Sequence, residues 1–339
     1  MSIMEKLIGI AVLMIVGIVF IAVMYVGSAF LLRWRQKGIN PMNKFPRNPK
    51  GSPLSQEQQR ALNVGAILAG SNNDFCDSLQ TSKAVAKRIL SEILERDWGI
   101  TSAADAINRL ESLKYGGHRH MFNMILKNAS TLLSSEEASS VDPRSIYKQT
   151  GFSLLDKRIL LEYADEAALA EKHIDLIEEF LKANSIEEVE KYQPLFGNEE
   201  TFSVCISIYH RFYEQCCTYV SSIFNLEQTL EDLKEKGIVN NLTELEGLDT
   251  TAWDMGRIVN VARYAYDCGY ISENQAWEYI FFAEQEASAC YADWAAFGKA
   301  YIIGRALWGG KNMNLYGAID TVNSLKKDKK SPWALASLH

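Results

Sequence analysis

The stretch that most invites chemistry is "TAWDMGRIVNVARYAYDCGY", residues 251–270. Drawn as a helix at about 100° per residue, it gathers Gly256, Arg257, Asn260, Arg263 and Asp267 on one side. Met255, Ile258, Val259, Ala262, Ala265 and Tyr266 fall on the other. Asp254 and Arg257 are three apart and Arg263 and Asp267 four apart, so each couple is spaced to pair. Two arginines on one face can also grip a carboxylate or phosphate bidentately. Gly256 leaves a gap through which a ligand or another helix could approach them. The same pattern equally suits a solvated face whose ion pairs contribute roughly 0–1 kcal/mol each, with Asp254 serving the positive end of its own helix.

Two further residues join this set. Arg305 is the one charge in "YIIGRALWGG" and is either buried and paired or set at a cleft. His118, in "GGHRHMF", could act with Asp254 as acid or base, or stand at a helix start. The candidate ligand or partner residues are thus Asp254, Arg257, Asn260, Arg263, Arg305 and His118. His118 and His120 lack identifiable third and fourth ligands, so no metal and no cofactor is assigned. No nucleophile elbow, Walker loop, HExxH or dinucleotide fingerprint is present. No catalytic residue is named, and the balance is against an enzyme.

Elements that could position these residues are helical almost throughout. Apolar residues recur at three and four in "TSKAVAKRILSEILERDW" (81–98), and "QRALNVGAILAG" (59–70) reads as one helix. The region 155–183 reads as one or two long helices with an acidic face, and "TFSVCISIYHRFY" (201–213) as helix rather than strand. Helices are expected near 252–268, 273–289 and 294–308. Capping boxes are read at Ser55/Gln58, Ser102/Asp105, Thr251/Asp254 and Ser272/Gln275, with Asp293 as a further cap. Gly99, Gly269 and Gly309 stand at helix ends. "DWGITSAADAI" (97–107) and "DCGYISENQAW" (267–277) share one grammar: a helix ends on Gly, and Ser starts the next helix three residues on. Ile100 and Tyr270 fill those turns. The loops are placed at 129–150 and 192–200.

Outside this body, Leu7–Leu32 carries no charge and is long enough to span a bilayer as a single helix. Arg33, Arg35, Lys37, Lys44, Arg47 and Lys50 follow without an acid. That collar places the body in the cytoplasm and residues 1–6 outside, and it can lie on anionic headgroups. Its prolines make residues 33–54 an extended tether. Residues 51–339 then carry 28 Lys and Arg against 41 Asp and Glu, a net of −13. So acidic a body excludes broad nucleic-acid binding. Six cysteines without CxxC spacing suit a reduced compartment. The organisation expected is a membrane helix at 7–32, the tether, an all-α domain of helix–turn–helix units at 55–320, and a basic, flexible tail at 321–339. Trp333 and the lysines before it also suit an interfacial tail.

"AWDMGRIVNVARYAYDCGYISENQAWEYI", "DWAAFGKAYIIGRALWGG" and "RDWGITSAADAINRLESLKYGGHRHMF" together resemble the bacterial family known as domain of unknown function 1266, over roughly residues 60–312. By that resemblance the motif positions are Trp98, Gly99, His118, Asp254, Gly256, Arg257, Arg263, Gly269, Tyr270, Trp294, Gly304 and Arg305. Tyr264 and Tyr266 depart from the family, whose helices often read Trp and Gly there. The resemblance implies a bacterial, helical protein and no activity. The function expected is a single-pass inner-membrane protein. Its cytoplasmic domain is an interaction or scaffold module in an envelope or toxin-immunity setting, with an unknown protein partner. The competing expectation is an enzyme or receptor for a small anion.

Overall fold

A computed structural model describes residues 45–82, 87–134 and 190–339. The expected membrane helix at 7–32 and the helices at 155–183 lie outside these residues. Among the described residues every regular element is a helix, and none is long and apolar enough to cross a membrane. In chain order the helices are α1 (Gln56–Asn63), α2 (Ala66–Asn72), α3 (Lys87–Trp98), α4 (Ala103–Tyr115), α5 (Arg119–Lys127) and α6 (Ala129–Ser134). They continue with α7 (Glu199–Glu235), α8 (Leu242–Glu246), α9 (Thr251–Cys268), α10 (Glu273–Cys290), α11 (Trp294–Gly309), α12 (Met313–Lys327) and α13 (Pro332–Leu335).

The all-α expectation holds, and the strand-like start of "TFSVCISIYHRFY" lies inside the 37-residue α7. Two loop expectations give way: α6 occupies 129–134, and the region around 192–200 holds a short 3-10 turn (Gln193–Phe196) and the start of α7. The single helix expected over 59–70 is two. The chain turns at Val64–Gly65 because α9 sits against it, and a Cβ on Gly65 would come within 2.5 Å of Val259 Cγ1. Residues 81–82 stand outside α3, since Thr81 gives both its N–H and its hydroxyl to Asp267 Oδ2.

Helix α9 is the axis of the domain. It packs on α2, α3, α4, α5, α10 and α11, and every one of its residues except Tyr266 and Cys268 is buried. A helix covered on all sides has no solvated face, so its polar residues must find partners inside the protein. The turn phrases form as read. Gly99 and Gly269 take positive φ (65° and 79°), and the N–H groups of Ile100 and Tyr270 reach back to Leu94 O and Ala265 O. Ile100 is fully buried. Ser272 and Gln275 form a reciprocal box. Ser102 caps α4, but Asp105 turns its carboxylate back to the N–H of Thr101. At the end of α11 the positive φ falls on Gly310, not Gly309.

The tail is the clearest departure. Trp333 lies flat on Trp294, ring centroids 5.4 Å apart, and gives its indole N–H to Asn63 O. Trp294 donates to Ala336 O, and Asn63 Nδ2 donates to Pro332 O. Trp333, Ala336 and Leu338 are buried. The apolar residues after the lysines carry enough surface to close the core between α1 and α11, which is why the end is ordered. Gly298 makes room for this: a Cβ there would meet Trp333 at 2.9 Å. The described end of the tether, Phe45–Leu54, has no helix, as its prolines dictate, and it is docked rather than free. Cys76 N donates to Pro46 O, and Asn48 N to Asp77 Oδ1.

Candidate functional site

Asp254 is fully buried on the first turn of α9. It does not cap its own helix. The N-cap is Thr250, whose side chain makes no capping bond, and the first N–H groups of α9 go elsewhere. Thr250 N and Oγ1 donate to Asn123 Oδ1, Thr251 N to Asp249 Oδ1, and Ala252 N to Tyr291 Oη. This frees Asp254 to cap α5, more than a hundred residues earlier. Its Oδ2 accepts from His118 N and Arg119 N, both at 3.0 Å, and its Oδ1 accepts from Arg257 Nη2. A carboxylate at a helix N-terminus meets both the unsatisfied N–H groups and the positive end of the dipole.

The Asp254–Arg257 pair therefore forms as the spacing predicted, and Arg257 Nη2 also donates to His118 Nδ1 at 2.9 Å. Since a guanidinium can only donate, Nδ1 is an acceptor and the neutral ring carries its proton on Nε2. Burial, and then the positive charge of Arg257, lower the His118 pKa to about 4, against the opposing pull of Asp254. Arg119 adds its own guanidinium 3.5 Å from Asp254 Oδ2 and holds the carbonyls of Leu113 and Lys114.

The other predicted pair does not form. Arg263 is 1% exposed and donates through Nε and Nη2 to four backbone carbonyls, of Phe75, Ser78, Leu79 and Gln80. Asp267 instead accepts from Thr81. Both side chains clamp one irregular segment, 75–81, whose carbonyls would otherwise be buried without donors. Tyr264 extends the clamp by donating to Asp74 Oδ2 at 2.7 Å. Asn260 holds the carbonyls of Gly65 and Gly256. The gap at Gly256 is filled by Tyr301, whose Cε2 would lie 2.7 Å from an added Cβ. A ligand cannot enter there.

Arg305 is buried on α11 without a carboxylate partner among the described residues. Its Nη2 donates to Asn312 Oδ1 at 3.2 Å, and burial lowers its pKa. Its guanidinium lies over Trp308 (4.9 Å) and Trp253 (5.8 Å). Arg257 lies over the same Trp253 (4.8 Å) and over Trp98 (5.8 Å). Trp98, Arg257, Trp253, Arg305 and Trp308 thus alternate ring and cation in one ladder. Trp253 also seats against Gly304, where a Cβ would meet its own Cβ at 2.4 Å. Among the described residues, three buried donors in the ladder have no hydrogen-bond partner: Trp253 Nε1, Arg257 Nε and Arg305 Nη1.

The six candidates accordingly divide. His118, Asp254, Arg257 and Arg305 belong to one connected cluster. Asn260 and Arg263 face other parts of the chain. Trp253, Trp308 and Arg119 also belong to the cluster and were not among the sequence candidates. The spacing of Trp253 four residues before Arg257 and of Trp308 three after Arg305 is the one sequence signal for the two rings. Asp254 is closed to any substrate, because its lone pairs are engaged and it has no exposed surface. No group of His, Cys, Asp or Glu among the described residues could hold a metal.

Residues 93–337 match the family described as "Protein of unknown function (DUF1266)", and the chain belongs to that family. The match begins later than residue 60 and runs through the tail, in keeping with the packing of Trp333. No curated protein and no solved structure matches the chain.

Proposed function

We propose that this chain is a membrane-tethered interaction module. Residues 7–32 anchor it as a single pass in the inner membrane of a bacterium, with residues 1–6 outside and the helical domain in the cytoplasm. There the domain binds a protein partner as part of an envelope or toxin-immunity system. One observation carries the reading of the domain. The polar side of α9, the best candidate for a chemical site, is buried and engaged by the chain's own loops, and Tyr301 fills the gap beside it. The residues available to a partner are instead on the surface. Trp308 is 50% exposed at the end of the ladder. Phe224, also exposed, precedes Asn225, which ties α7 to Leu307 O. The test is purification of the full chain from its native membranes after cross-linking. A stoichiometric partner that Trp308→Ala releases supports the module. Recovery of the chain alone counts against it.

A second reading is favoured by the three unpartnered donors around Trp253. A small carboxylate or phosphate could satisfy them if Trp308 swung aside. Calorimetric titration with phosphate and with dicarboxylates tests this, and binding that Arg305→Gln leaves untouched rules it out.

A further inference from the structure

The two ends of the described chain meet on one face. A shallow pocket is lined by Phe45, Arg47 and Asp77 from one side and by Lys330, Pro332 and Leu335 from the other. Both segments are fixed there by α1. Gln59 Nε2 donates to Cys76 O beneath the first, and Asn63 Nδ2 to Pro332 O in the second. Arg47, Lys50, Lys326, Lys327, Lys329 and Lys330 are all exposed. Asp77 lines the same pocket and Asp328 stands between the lysines in sequence, and each is already bonded to backbone, accepting from Asn48 N and Lys330 N. These two short segments thus carry six cations and meet at Arg47 and Lys330, whereas residues 51–339 together sum to −13. Leu335 adds an apolar side chain, 51% exposed, beside Lys330.

We infer that this face, built from Phe45–Lys50 and Lys326–Leu335, is a docking site for an anionic lipid surface. The inference rests on the reading that residues 7–32 lie in a membrane. Only residues 33–44 separate that segment from Phe45, and they span at most about 40 Å even when fully extended. Four more cations, Arg33, Arg35, Lys37 and Lys44, lie in that connection. The point where the chain enters the domain is therefore held within about 40 Å of the bilayer, and it is where these cations lie. Lysines close to an anionic leaflet are drawn to it, and the attraction fades within a Debye length. Leu335 can enter the headgroup boundary beside them, whereas Trp333 is committed to the core. The face holds the domain flat against the membrane and leaves the end of α11, with Trp308, to meet a partner.

The test uses the full chain on phosphatidylcholine vesicles with and without phosphatidylglycerol, read by hydrogen exchange. On the anionic vesicles, backbone exchange in 45–50 and 326–336 should slow by about tenfold. High salt, or the quadruple variant K326E/K327E/K329E/K330E, should abolish the effect. The four lysines are exposed, so an unchanged thermal melt shows that the variant folds. Equal exchange on both vesicles, or a variant that behaves as wild type, overturns the inference, as does tighter binding of duplex DNA or RNA than of anionic vesicles at matched salt. Alkaline carbonate extraction of the same vesicles reports on the anchor separately. Lipid-dependent protection of a chain that carbonate releases refutes the anchor and leaves the face. A carbonate-resistant chain without that protection refutes the face alone.

Discussion

An added Cβ on Gly117 would lie 2.0 Å from Oδ2 of Asp254. The backbone of the 116–118 turn rests directly on a carboxylate supplied by α9, and only a residue without a side chain admits that approach. Gly117 also has φ of +55°, so two independent demands select glycine.

Asp254→Asn should destabilise the fold by about 3–5 kcal/mol, because Arg257 and the N-terminus of α5 stay buried without their anion. Gly117→Ala should cost about as much through strain and overlap. Urea denaturation of both variants measures this. Stability within experimental error of wild type would show that Asp254 does not hold the turn.

Arg263→Lys is the conservative test of the second clamp. A lysine has a compact ammonium and cannot spread donors over four carbonyls. A loss of about 2–3 kcal/mol is expected, with faster hydrogen exchange confined to the segment 75–81. Uniformly faster exchange over the whole domain would contradict a local clamp.

His118 should remain neutral until the pH approaches 4. The unfolded chain takes up that proton near 6.5, so between these values the unfolded state binds more protons. The histidine's contribution to stability is then complete above about pH 6.5 and is lost as the pH falls toward 4. Imidazole resonances followed by NMR give the folded pKa directly, and titration near 6.5 would refute the buried, arginine-facing ring.

Trp333→Ala should cost about 3–5 kcal/mol, as for a large core residue, and should make the end of the chain accessible to proteases. Leu335→Ala, on the exposed side of the same short helix, should change stability by less than about 1 kcal/mol. Equal effects from the two substitutions would mean that the tail does not close the core.

The sequence by itself determined the local structure. Helix periodicity, the Ser and Asp caps and the glycine turns depend on residues within one or two turns of each other, and most of those among the described residues form where their spacing put them. It also gathered Asp254, Arg257 and Arg263 on one helix face and marked Arg305 as a lone charge in an apolar stretch, but it left open whether that face met water or protein. What it could not determine was which partners they meet. Asp254 looked suited to capping its own helix, and Asp267 looked paired with Arg263, because spacing along one helix records only neighbours on that helix. The true partners, His118 N and Thr81, stand more than a hundred residues away. Only tertiary packing decided them, by surrounding α9 with other elements whose backbone donors and acceptors each buried charge could reach. The same packing carried Trp333 from a presumed surface tail into the core, since the matching surface on Trp294 and Gly298 exists only once α11, α12 and α13 have come together.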